Sequence, residues 1–551
     1  MLNSVTGHKR FKSCFTAFAG SVSLACAMPC VVSAAPDQVF VLPPVQSSAA
    51  DVLVKEFRFS GNTVLTTEDL QRMAQAYAGR RVTFAELEEL RISITRKYIA
   101  LGYLNSGAVL VVADGQDAFP DGLIPIRLIE GRISQVNIRG QDRLQTQYLE
   151  QRLVQAPEVF NMPVLQQRFQ LLLTDPLFEK INSRLIPGDV PGTAILDIDV
   201  QRAPAYGMTV FFNNYRAPSI GSQVLGSAGW IRNLTGRGDM LDASISHSEG
   251  ADPVHLGWTM PLNSRGTSLK LSADQGSSSV IGESLAAIDI KSRSSGGEAG
   301  LVQTLQSSPQ RKIELGLSYA QRESRTSLLG EAFSFTPGEP DGHTRIRVWR
   351  FSQEWTERAE TQALAVRSIF AFGRNNIDRS ASGASGASDV TGAGVPDISY
   401  RIWTGQLQYV NNLAQDGRQI VVRASAQQTP DRLLPLERFS LGGANTVRGY
   451  RENALVRDRA FLLNAEFHYP LSFAVLDGQK LKLISFADMA VANNQDEAAQ
   501  KLASLGVGVN WQGNKWSAEL FVARKLKSLP NAGSGNLQDH GVHFQMTYHL
   551  F

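Results

Sequence analysis

Cysteine is scarce in this chain and is confined to one end. All three cysteines among the 551 residues, Cys14, Cys26 and Cys30, lie within the first 30 positions. The rest of the sequence therefore has no disulfide framework and no thiolate metal site. Charged residues make up only 19% of the chain and the formal net charge is +3. Such a balance gives no reason to expect a nucleic-acid partner.

Long apolar runs are missing after the first 35 residues. No later stretch approaches the ~18 consecutive apolar residues that a membrane-spanning helix needs. If the mature protein sits in a membrane, it must do so as a closed β-barrel, because in lipid every backbone N–H and C=O group needs a protein partner.

Signatures of catalysis are missing as well. The eight histidines are scattered along the chain. The sequence contains no nucleophile elbow, no phosphate-binding loop and no metal-binding helix motif. We therefore predict that the protein is not an enzyme and that it needs neither a cofactor nor a metal.

The first 34 residues differ from the rest in composition. Three basic residues between positions 9 and 12 precede an apolar stretch over 15–32, and Val32-Ser33-Ala34 forms a small-residue cleavage pattern. This order is typical of a secretory signal peptide, which we predict over 1–34. A retained membrane anchor and a lipoprotein site at Cys26 are the alternatives.

Two units of similar pattern follow a linker over 35–50. The first unit, over 51–131, has the predicted order β-α-α-β-β, and Thr83 and Glu86 form a capping box before its second helix. The second unit, over 132–203, repeats that order. The predicted elements are strands over 52–59, 108–113, 123–130, 133–138, 181–186 and 194–200, and helices over 70–77, 83–102, 144–154 and 163–173.

From about Tyr206 onward the helical pattern disappears. Short runs with alternating apolar and polar residues follow, as in 460–469 and 516–523, separated by Gly, Ser, Asn and Pro. About sixteen antiparallel strands of this kind fit into 204–551, which favours an all-β transmembrane barrel with a wet interior. A soluble sandwich is the alternative, but about sixteen strands are too many for a single sandwich.

The connections between these strands alternate in length. Short turns are predicted on one side of the barrel and long loops near 276–296, 323–342, 375–399 and 429–459 on the other. This is the arrangement of outer-membrane barrels, with the long loops outside. The loop over 429–459 follows the eleventh predicted strand, so we expect it on the extracellular side.

That loop contains Val447-Arg448-Gly449-Tyr450, and two β-α-α-β-β units precede the barrel. Two further short motifs are Glu130-Gly131-Arg132-Ile133 and Gly236-Arg237-Gly238-Asp239. Together these features resemble two-partner secretion transporters, the TpsB family of the BamA-like superfamily, which exports haemolysins and filamentous adhesins. The resemblance extends from about Val52 to the C-terminus. It implies that the two units are POTRA domains in the periplasm.

The resemblance also implies a site inside the barrel. The family's long loop folds into the lumen, where its arginine meets the aspartate of an aromatic-x-Asp motif, and Phe486-Ala487-Asp488 fits that motif. A guanidinium–carboxylate contact gives defined geometry. Gly449 allows the backbone to pass close to the wall, and Tyr450 supplies amphipathic packing. The alternative is that Arg448 and Asp488 are solvated and unpaired.

A second expected site would dock an exported chain in the periplasm. The predicted strand over 108–113, with Leu110 at its centre, lies at a sheet edge that can accept another strand. The neighbouring helix carries Leu87, Leu90 and Ile94, which are candidates for apolar contacts with that chain. The alternative is that these three residues are core.

These features predict an outer-membrane translocase that binds an unfolded polypeptide in the periplasm and secretes it through the barrel. An insertion factor for other barrels and a passive porin are the alternatives. The expected partners are a secreted protein, such as a large β-helical adhesin or haemolysin, outer-membrane lipid, and the machinery that inserts barrels. The prolines of the 35–50 segment argue against a helix that plugs the pore.

Overall fold

The structure is a computed structural model that describes most of the chain after Ala50. The expected signal peptide and the linker over 35–50 lie outside the described residues. The chain divides between Ala203 and Pro204 into two compact units. The described ranges are 51–112, 119–154, 158–282, 288–378, 394–414, 416–471, 479–495, 497–529 and 535–551.

The N-terminal unit contains two small α+β domains. The first domain consists of β1 (Val52–Leu53), β2 (Glu56–Ser60), α1 (Thr67–Ala74), β3 (Arg81–Val82), α2 (Phe84–Ala100), β4 (Gly107–Leu110) and β5 (Leu123–Ile129). In its three-stranded sheet, β5 is central, parallel to β2 and antiparallel to β4. β4 is therefore an edge strand of the sheet that these residues form.

The capping box predicted from the sequence begins α2. Thr83 Oγ1 accepts a hydrogen bond from the Glu86 N–H at 3.2 Å, and the Glu86 carboxylate accepts one from the Thr83 N–H at 2.8 Å. The two bonds satisfy N–H groups that have no partner inside the helix. The apolar face of α2 packs on the sheet and contributes four residues to the domain core. These residues are Leu87, Leu90, Ile94 and Tyr98.

β4 is shorter than the strand predicted over 108–113. Its pairing with β5 ends at Leu110, opposite Ile126. The next residue, Val111, still donates a hydrogen bond to the Pro125 carbonyl oxygen at 3.0 Å. Pro125 has no N–H group to return the second bond of the pair, so the ladder stops there.

The second domain repeats the architecture with fewer strands. Its elements are β6 (Arg132–Arg139), α3 (Thr146–Leu153), α4 (Met162–Leu173), β7 (Phe178–Pro187) and β8 (Thr193–Arg202). The central strand β8 is parallel to β6 and antiparallel to β7. Among the described residues, no helix is both long and apolar enough to span a membrane.

Glu130 ties three parts of the first domain together at the end of β5. Its carboxylate accepts hydrogen bonds from the N–H groups of Thr63 and Val64, at 2.7 and 2.8 Å, and from the Tyr98 hydroxyl at 2.9 Å. Burial alone would raise the pKa of Glu130, but the hydrogen bonds from Thr63, Val64 and Tyr98 outweigh it and hold the pKa below its ordinary value.

The C-terminal unit is a closed barrel. Its strands are β9 (Tyr206–Asn213), β10 (Val224–Arg232), β11 (Met240–His247), β12 (Ala251–Pro261), β13 (Thr267–Ser279), β14 (Lys291–Ser307), β15 (Arg311–Leu328), β16 (Glu331–Ala332), β17 (His343–Arg358), β18 (Gln362–Asn375), β19 (Ser399–Asn412), β20 (Gln419–Gln428), β21 (Phe439–Leu441), β22 (Leu455–Arg457), β23 (Arg459–Leu471), β24 (Lys480–Asn493), β25 (Gln500–Gln512), β26 (Trp516–Lys525) and β27 (Val542–His549).

Sixteen of these strands, counted over the described residues, form the antiparallel barrel wall. β16 lies in a connection, and β21 and β22 pair only with each other. The wall closes where β27 pairs with β9, from Gln545 opposite Asn213 to His549 opposite Thr209. The predicted fold class, α+β domains followed by a barrel of about sixteen strands, is confirmed.

Side chains alternate between the two faces of the wall, and the outer face is apolar. In β23, Phe461 and Phe467 are 43% and 37% exposed, whereas Asn464 and Glu466 between them are each 6% exposed. Large exposed apolar side chains of this kind recur around the barrel. Because a soluble sandwich would bury such residues between two sheets, closure and an apolar exterior exclude that alternative.

The Glu130 contacts make a stability prediction. In a fragment of residues 51–203, Glu130→Gln should lower the free energy of unfolding at pH 7 by about 1 kcal/mol, because a charged acceptor is lost at a partly exposed site. Chemical denaturation followed by circular dichroism measures this. Glu89→Gln, at an exposed position of α2, is the matched control and should be neutral.

The stability difference between the parent fragment and Glu130→Gln should depend on pH. The folded-state pKa of Glu130 is lowered, so its contribution is complete above the unfolded value of about 4.3 and disappears as the pH falls through the folded value. The stability difference between parent and Glu130→Gln should therefore vanish in acid. A difference that persists unchanged at low pH contradicts this assignment.

Candidate functional site in the long loop

A long loop joins β20 to β23 and follows the eleventh wall strand, as the sequence predicted. Within it, β21 and β22 pair from Phe439 opposite Arg457 to Leu441 opposite Leu455. The pairing makes the loop a hairpin whose tip carries Val447-Arg448-Gly449-Tyr450. Arg448 and Tyr450 are 3% and 2% exposed, so the tip is packed against protein rather than solvated.

Arg448 is bound by Asp488 on the inner face of β24. The arginine Nε and Nη2 donate to the two carboxylate oxygens at 2.8 and 2.7 Å, and the Arg448 backbone N–H adds a third bond at 3.0 Å. This is a bidentate guanidinium–carboxylate contact with a main-chain bond beside it. Asp488 is 2% exposed, and the structure therefore brings the two predicted residues together.

A second carboxylate completes the surroundings of Arg448. Glu466 on β23 lies 2.8 Å from Arg448 Nη1 and also 2.8 Å from Arg423 Nη1 on β20. Asn464, two residues before Glu466, donates to Asp488 at 2.8 Å and to the Thr446 carbonyl oxygen at 2.6 Å. Two arginines and two carboxylates thus balance each other in a region from which water is largely excluded.

Aromatic rings cover the guanidinium group of Arg448. Its Cζ lies 3.5 Å from the centre of the Phe486 ring and 5.0 Å from that of Phe521. The two rings meet edge to face with centroids 5.7 Å apart. Cation–π attraction therefore adds to the ion pairs and fixes the plane of the guanidinium group. Phe486, the aromatic residue of the predicted motif, has this role.

Gly449 places the loop backbone directly on the wall. Its φ is +92°, and a Cβ atom built there would lie 3.1 Å from the Cβ of Ala523 on β26. Its N–H donates to His543 Nε2 on β27 at 3.2 Å. A side chain at this position would need an unfavourable left-handed conformation and space that Ala523 occupies.

Tyr450 and Arg451 attach the end of the motif to two further segments. The Tyr450 hydroxyl lies 2.6 Å from the Lys527 carbonyl oxygen and accepts a hydrogen bond from the Ala503 N–H at 3.2 Å. Arg451 forms a bidentate pair with Asp539, at 2.5 and 2.7 Å. Val447 is fully buried in an apolar cluster. Every residue of the predicted motif is thus in contact with the wall or its connections.

The first part of the loop touches a different set of strands. Leu433 and Leu434 are fully buried in a cluster that includes inward-facing residues of β17, β18 and β19. Glu437 lies 3.4 Å from Arg350 of β17 and 3.9 Å from Arg322 of β15. The loop therefore runs across the lumen between two attachments, one on β15 to β19 and one on β24 to β27.

Several members of this site were missed at the level of sequence. Asn464 and Glu466 stood on the polar face of a predicted strand, which marked them as lumen residues but not as partners of Arg448. His543, Asp539 and Glu437 gave no signal, because their roles depend on which strands the loop reaches.

The structure corrects part of the predicted docking site. Leu87, Leu90 and Ile94 are at most 1% exposed and form the core of the first domain, so they have no surface for a client. The amphipathic pattern of α2 reflects packing on its own sheet. Leu110 lies on the edge strand β4, and the following Val111 and Val112 are 41% and 37% exposed.

Family models match most of the described chain. The model described as "Haemolysin secretion/activation protein ShlB/FhaC/HecB" matches residues 192–511, more than half of the chain. The model described as "POTRA domain, ShlB-type" matches residues 52–131.

Individual relatives are more distant. The outer membrane transporter CdiB of Dickeya dadantii (strain 3937) is 23% identical over 214 residues, which cover 38% of this chain and 37% of that protein. The heme/hemopexin transporter protein HuxB of Haemophilus influenzae (strain 86-028NP) is 24% identical over 194 residues, 35% of this chain and 34% of its own. The chain thus matches only about a third of the length of these curated relatives.

Solved structures share the fold over nearly the whole chain. CdiB from Escherichia coli aligns with a TM-score of 0.66 at 18% identity, covering 93% of each chain. CdiB from Acinetobacter baumannii has a TM-score of 0.63 at 16% identity, covering 93% of this chain and 92% of its own. BamA from Haemophilus ducreyi, lacking POTRA domains 1–3, has a TM-score of 0.53 at 13% identity, covering 91% and 100%. With the family match spanning most of the barrel, the chain belongs to the haemolysin secretion/activation proteins of the ShlB/FhaC/HecB family.

Proposed function

We propose that this protein is an outer-membrane transporter of the two-partner secretion type, which binds an unfolded polypeptide in the periplasm and exports it through the barrel. The observation that carries the proposal is the attachment of the long loop to the inner wall at Arg448. A loop that is bound inside the lumen by buried charges lies on the route that an exported chain would take through the barrel. Family membership supports secretion as its purpose.

The alternatives explain fewer of the observations. A passive porin needs no periplasmic domains with an open sheet edge. An insertion factor for other barrels has support from the BamA likeness, but at 13% identity that likeness concerns the fold alone. The family model that covers most of the barrel describes secretion and activation of haemolysins. Secretion is therefore the function that the observations favour.

The ion pairs of the two loop attachments differ in burial. The Arg448 and Asp488 side chains are 4% and 0% exposed, whereas those of Arg350 and Glu437 are 17% and 7% exposed. A buried ion pair loses more when it is broken, because an uncompensated charge is left behind. We infer that the tip around Arg448 stays on the wall during export and that the first part of the loop moves to admit the client.

The client itself is proposed as a large secreted protein, such as a β-helical adhesin or haemolysin. The relatives matched here carry the names of transporters, one of them for heme/hemopexin. A client that arrives extended needs backbone partners, which an open strand edge offers. We propose β4 as that edge in place of the α2 side chains.

The register of β4 shows which backbone groups face the open edge. Val109 and Leu110 lie opposite Arg127 and Ile126, and Val111 donates to Pro125. In an antiparallel ladder, hydrogen-bonded and non-hydrogen-bonded pairs alternate. Val111 is bonded to β5, so Leu110 is not, and its N–H and C=O groups point away from β5. The Ala108 N–H already donates to Thr95 Oγ1 of α2 at 3.2 Å, and the Ala108 carbonyl oxygen accepts a hydrogen bond from Arg91 Nη1 at 3.3 Å. This leaves Leu110 as the open position of β4.

Loss of the Arg448 guanidinium should block export without preventing barrel assembly. Arg448→Ala leaves Asp488 and Glu466 buried beside one fewer cation, and we expect client secretion to fall roughly tenfold or more. The measurement is the amount of client in the culture medium, normalised to folded transporter in the outer membrane.

Arg367→Ala is the matched control for Arg448→Ala. Arg367 also faces the lumen and pairs with Glu354 of the neighbouring strand at 3.0 Å, but its side chain is 36% exposed. Exposed pairs contribute little, so secretion should stay within about twofold of the parent. Equal secretion by both variants would contradict the proposed role of Arg448.

The edge-strand proposal is tested by proline at Leu110. Leu110→Pro removes the N–H group that faces the open edge and leaves the bonds between β4 and β5 in place, so the domain should fold but bind an unfolded client segment several-fold more weakly. Binding is measured by titration, with circular dichroism as the folding check. Leu110→Ala retains the N–H group and should bind nearly as the parent does. If the folded proline variant binds as well as Leu110→Ala, strand addition at this edge is not the docking mode.

A further inference from the structure

Three arginines stand side by side on the outer surface of the barrel. Arg347 of β17, Arg374 of β18 and Arg401 of β19 are all exposed. Each lies two positions along its strand from a lipid-facing aromatic residue, and alternation puts both on the same face. These aromatic residues are Trp349, Phe372 and Trp403, which are 53%, 59% and 37% exposed.

The strand register places the three arginines next to one another. Arg347 is directly opposite Arg374, and Phe372 is directly opposite Arg401. Directly opposite residues have Cβ atoms about 5 Å apart and diagonal ones about 7–8 Å apart. Arginine side chains at these spacings are long enough to reach the same lipid headgroup.

The side chains of this cluster have no paired carboxylate among the residues that the structure describes. None of the three guanidinium groups lies within ion-pair distance of a carboxylate of a described residue, whereas the neighbouring Arg345 is held by Glu323 at 2.7 Å. The nearby Asp431 accepts the backbone N–H of Arg401. Like charges placed directly opposite each other on a sheet are unfavourable without a counter-ion.

A second pair of like charges lies on the two adjoining wall strands, β14 and β15. Arg293 of β14 is directly opposite Arg325 of β15, and both are exposed. They share the outward face with Leu301 and Leu317, which are 51% and 52% exposed. Two separate arginine pairs thus lie on the same stretch of outer wall.

The position of the cluster identifies the environment of its ligand. β17 and β19 begin, and β18 ends, at the side of the barrel that carries the long connections, which is the outer side. Aromatic residues mark the boundary between hydrocarbon and headgroups, and Tyr319 extends this row by packing on Trp349 at 5.0 Å. The arginines therefore lie at the headgroup level of the outer leaflet.

We propose that Arg347, Arg374 and Arg401 form a binding site for a phosphorylated glycolipid of the outer leaflet. The planar guanidinium fork matches phosphate oxygens in a bidentate fashion. Three converging forks suit a headgroup that carries more than one phosphate, while its acyl chains pack on the aromatic row below. The lipid phosphates supply the negative charge that no described carboxylate supplies to these three side chains.

The test measures binding of one defined lipid to the purified full chain in detergent. Native mass spectrometry counts bound lipid A with two phosphates across a titration, and the same lipid without phosphates and phosphatidylglycerol are run in parallel. Arg347→Gln with Arg374→Gln removes the directly opposite pair. Lys501→Gln with Arg524→Gln is the matched control: both residues are exposed on the outer face of β25 and β26, opposite Val491 and Leu505.

We expect the Arg347/Arg374 double variant to bind the bisphosphorylated lipid roughly tenfold more weakly than the parent. The Lys501/Arg524 control should bind as the parent does, and the dephosphorylated lipid should bind weakly to all three proteins. Arg347→Lys with Arg374→Lys keeps the charge without the fork and should retain part of the affinity, which separates recognition from failure to fold. If the Arg347→Gln/Arg374→Gln variant binds the bisphosphorylated lipid as tightly as the Lys501→Gln/Arg524→Gln control does, the proposal is overturned. It is also overturned if phosphatidylglycerol binds the parent as tightly as the glycolipid does.

Discussion

A charged guanidinium group leaves water only if other groups replace the lost hydration, and the Arg448 side chain meets this condition almost completely. Asp488 and Glu466 supply the charge, Asp488 also binds the Arg448 backbone N–H, and Phe486 covers the planar face. Each of these partners sits on a wall strand whose register is fixed by its neighbours. Because these partners are fixed in the wall, a movement of the loop tip would break all of its contacts with them together.

Barrel closure is what makes such a site possible. A closed wall leaves no free sheet edge in lipid, and strict alternation directs every second side chain inward. The same alternation that brings Asp488 to the lumen brings Trp349 and Arg347 to the outer surface. The inner face can then be polar, and the loop crosses it between one attachment at Leu433, Leu434 and Glu437 and another at Arg448, each of which combines apolar packing with an ion pair. The two attachments differ in how deeply their ion pairs are buried, with the Arg448–Asp488 pair the more buried.

Sequence reasoning was accurate where local chemistry decides the structure. The capping box at Thr83 and Glu86 begins α2 as predicted, and the inward and outward faces of β23 and β26 followed from alternation. Strand ends were less predictable. β14 begins at Lys291 inside a predicted loop, because strands that extend beyond the lipid carry Ser and Gly rather than apolar residues and so show no hydrophobic alternation.

The residues of the candidate sites were likewise predictable only where a local motif marks them. Arg448 and Asp488 were predicted from a family motif, whereas Glu466 and His543 depend on which strands the loop tip reaches, which no local pattern records. Leu87, Leu90 and Ile94 were misassigned because an amphipathic helix face looks the same whether it packs on its own sheet or on a partner. Pairing with a distant strand or partner is the information that a single sequence does not contain.

The central claim is that Arg448 and Asp488 act as one unit in export, and a double-mutant cycle tests it most directly. Client secretion is measured for Arg448→Ala, Asp488→Ala and the variant that combines both, at equal amounts of folded transporter. If the two residues form one attachment, the combined variant should secrete no less than the weaker single variant, because the contact is already lost. Losses that multiply in the combined variant would show that the two residues act independently and would contradict the account.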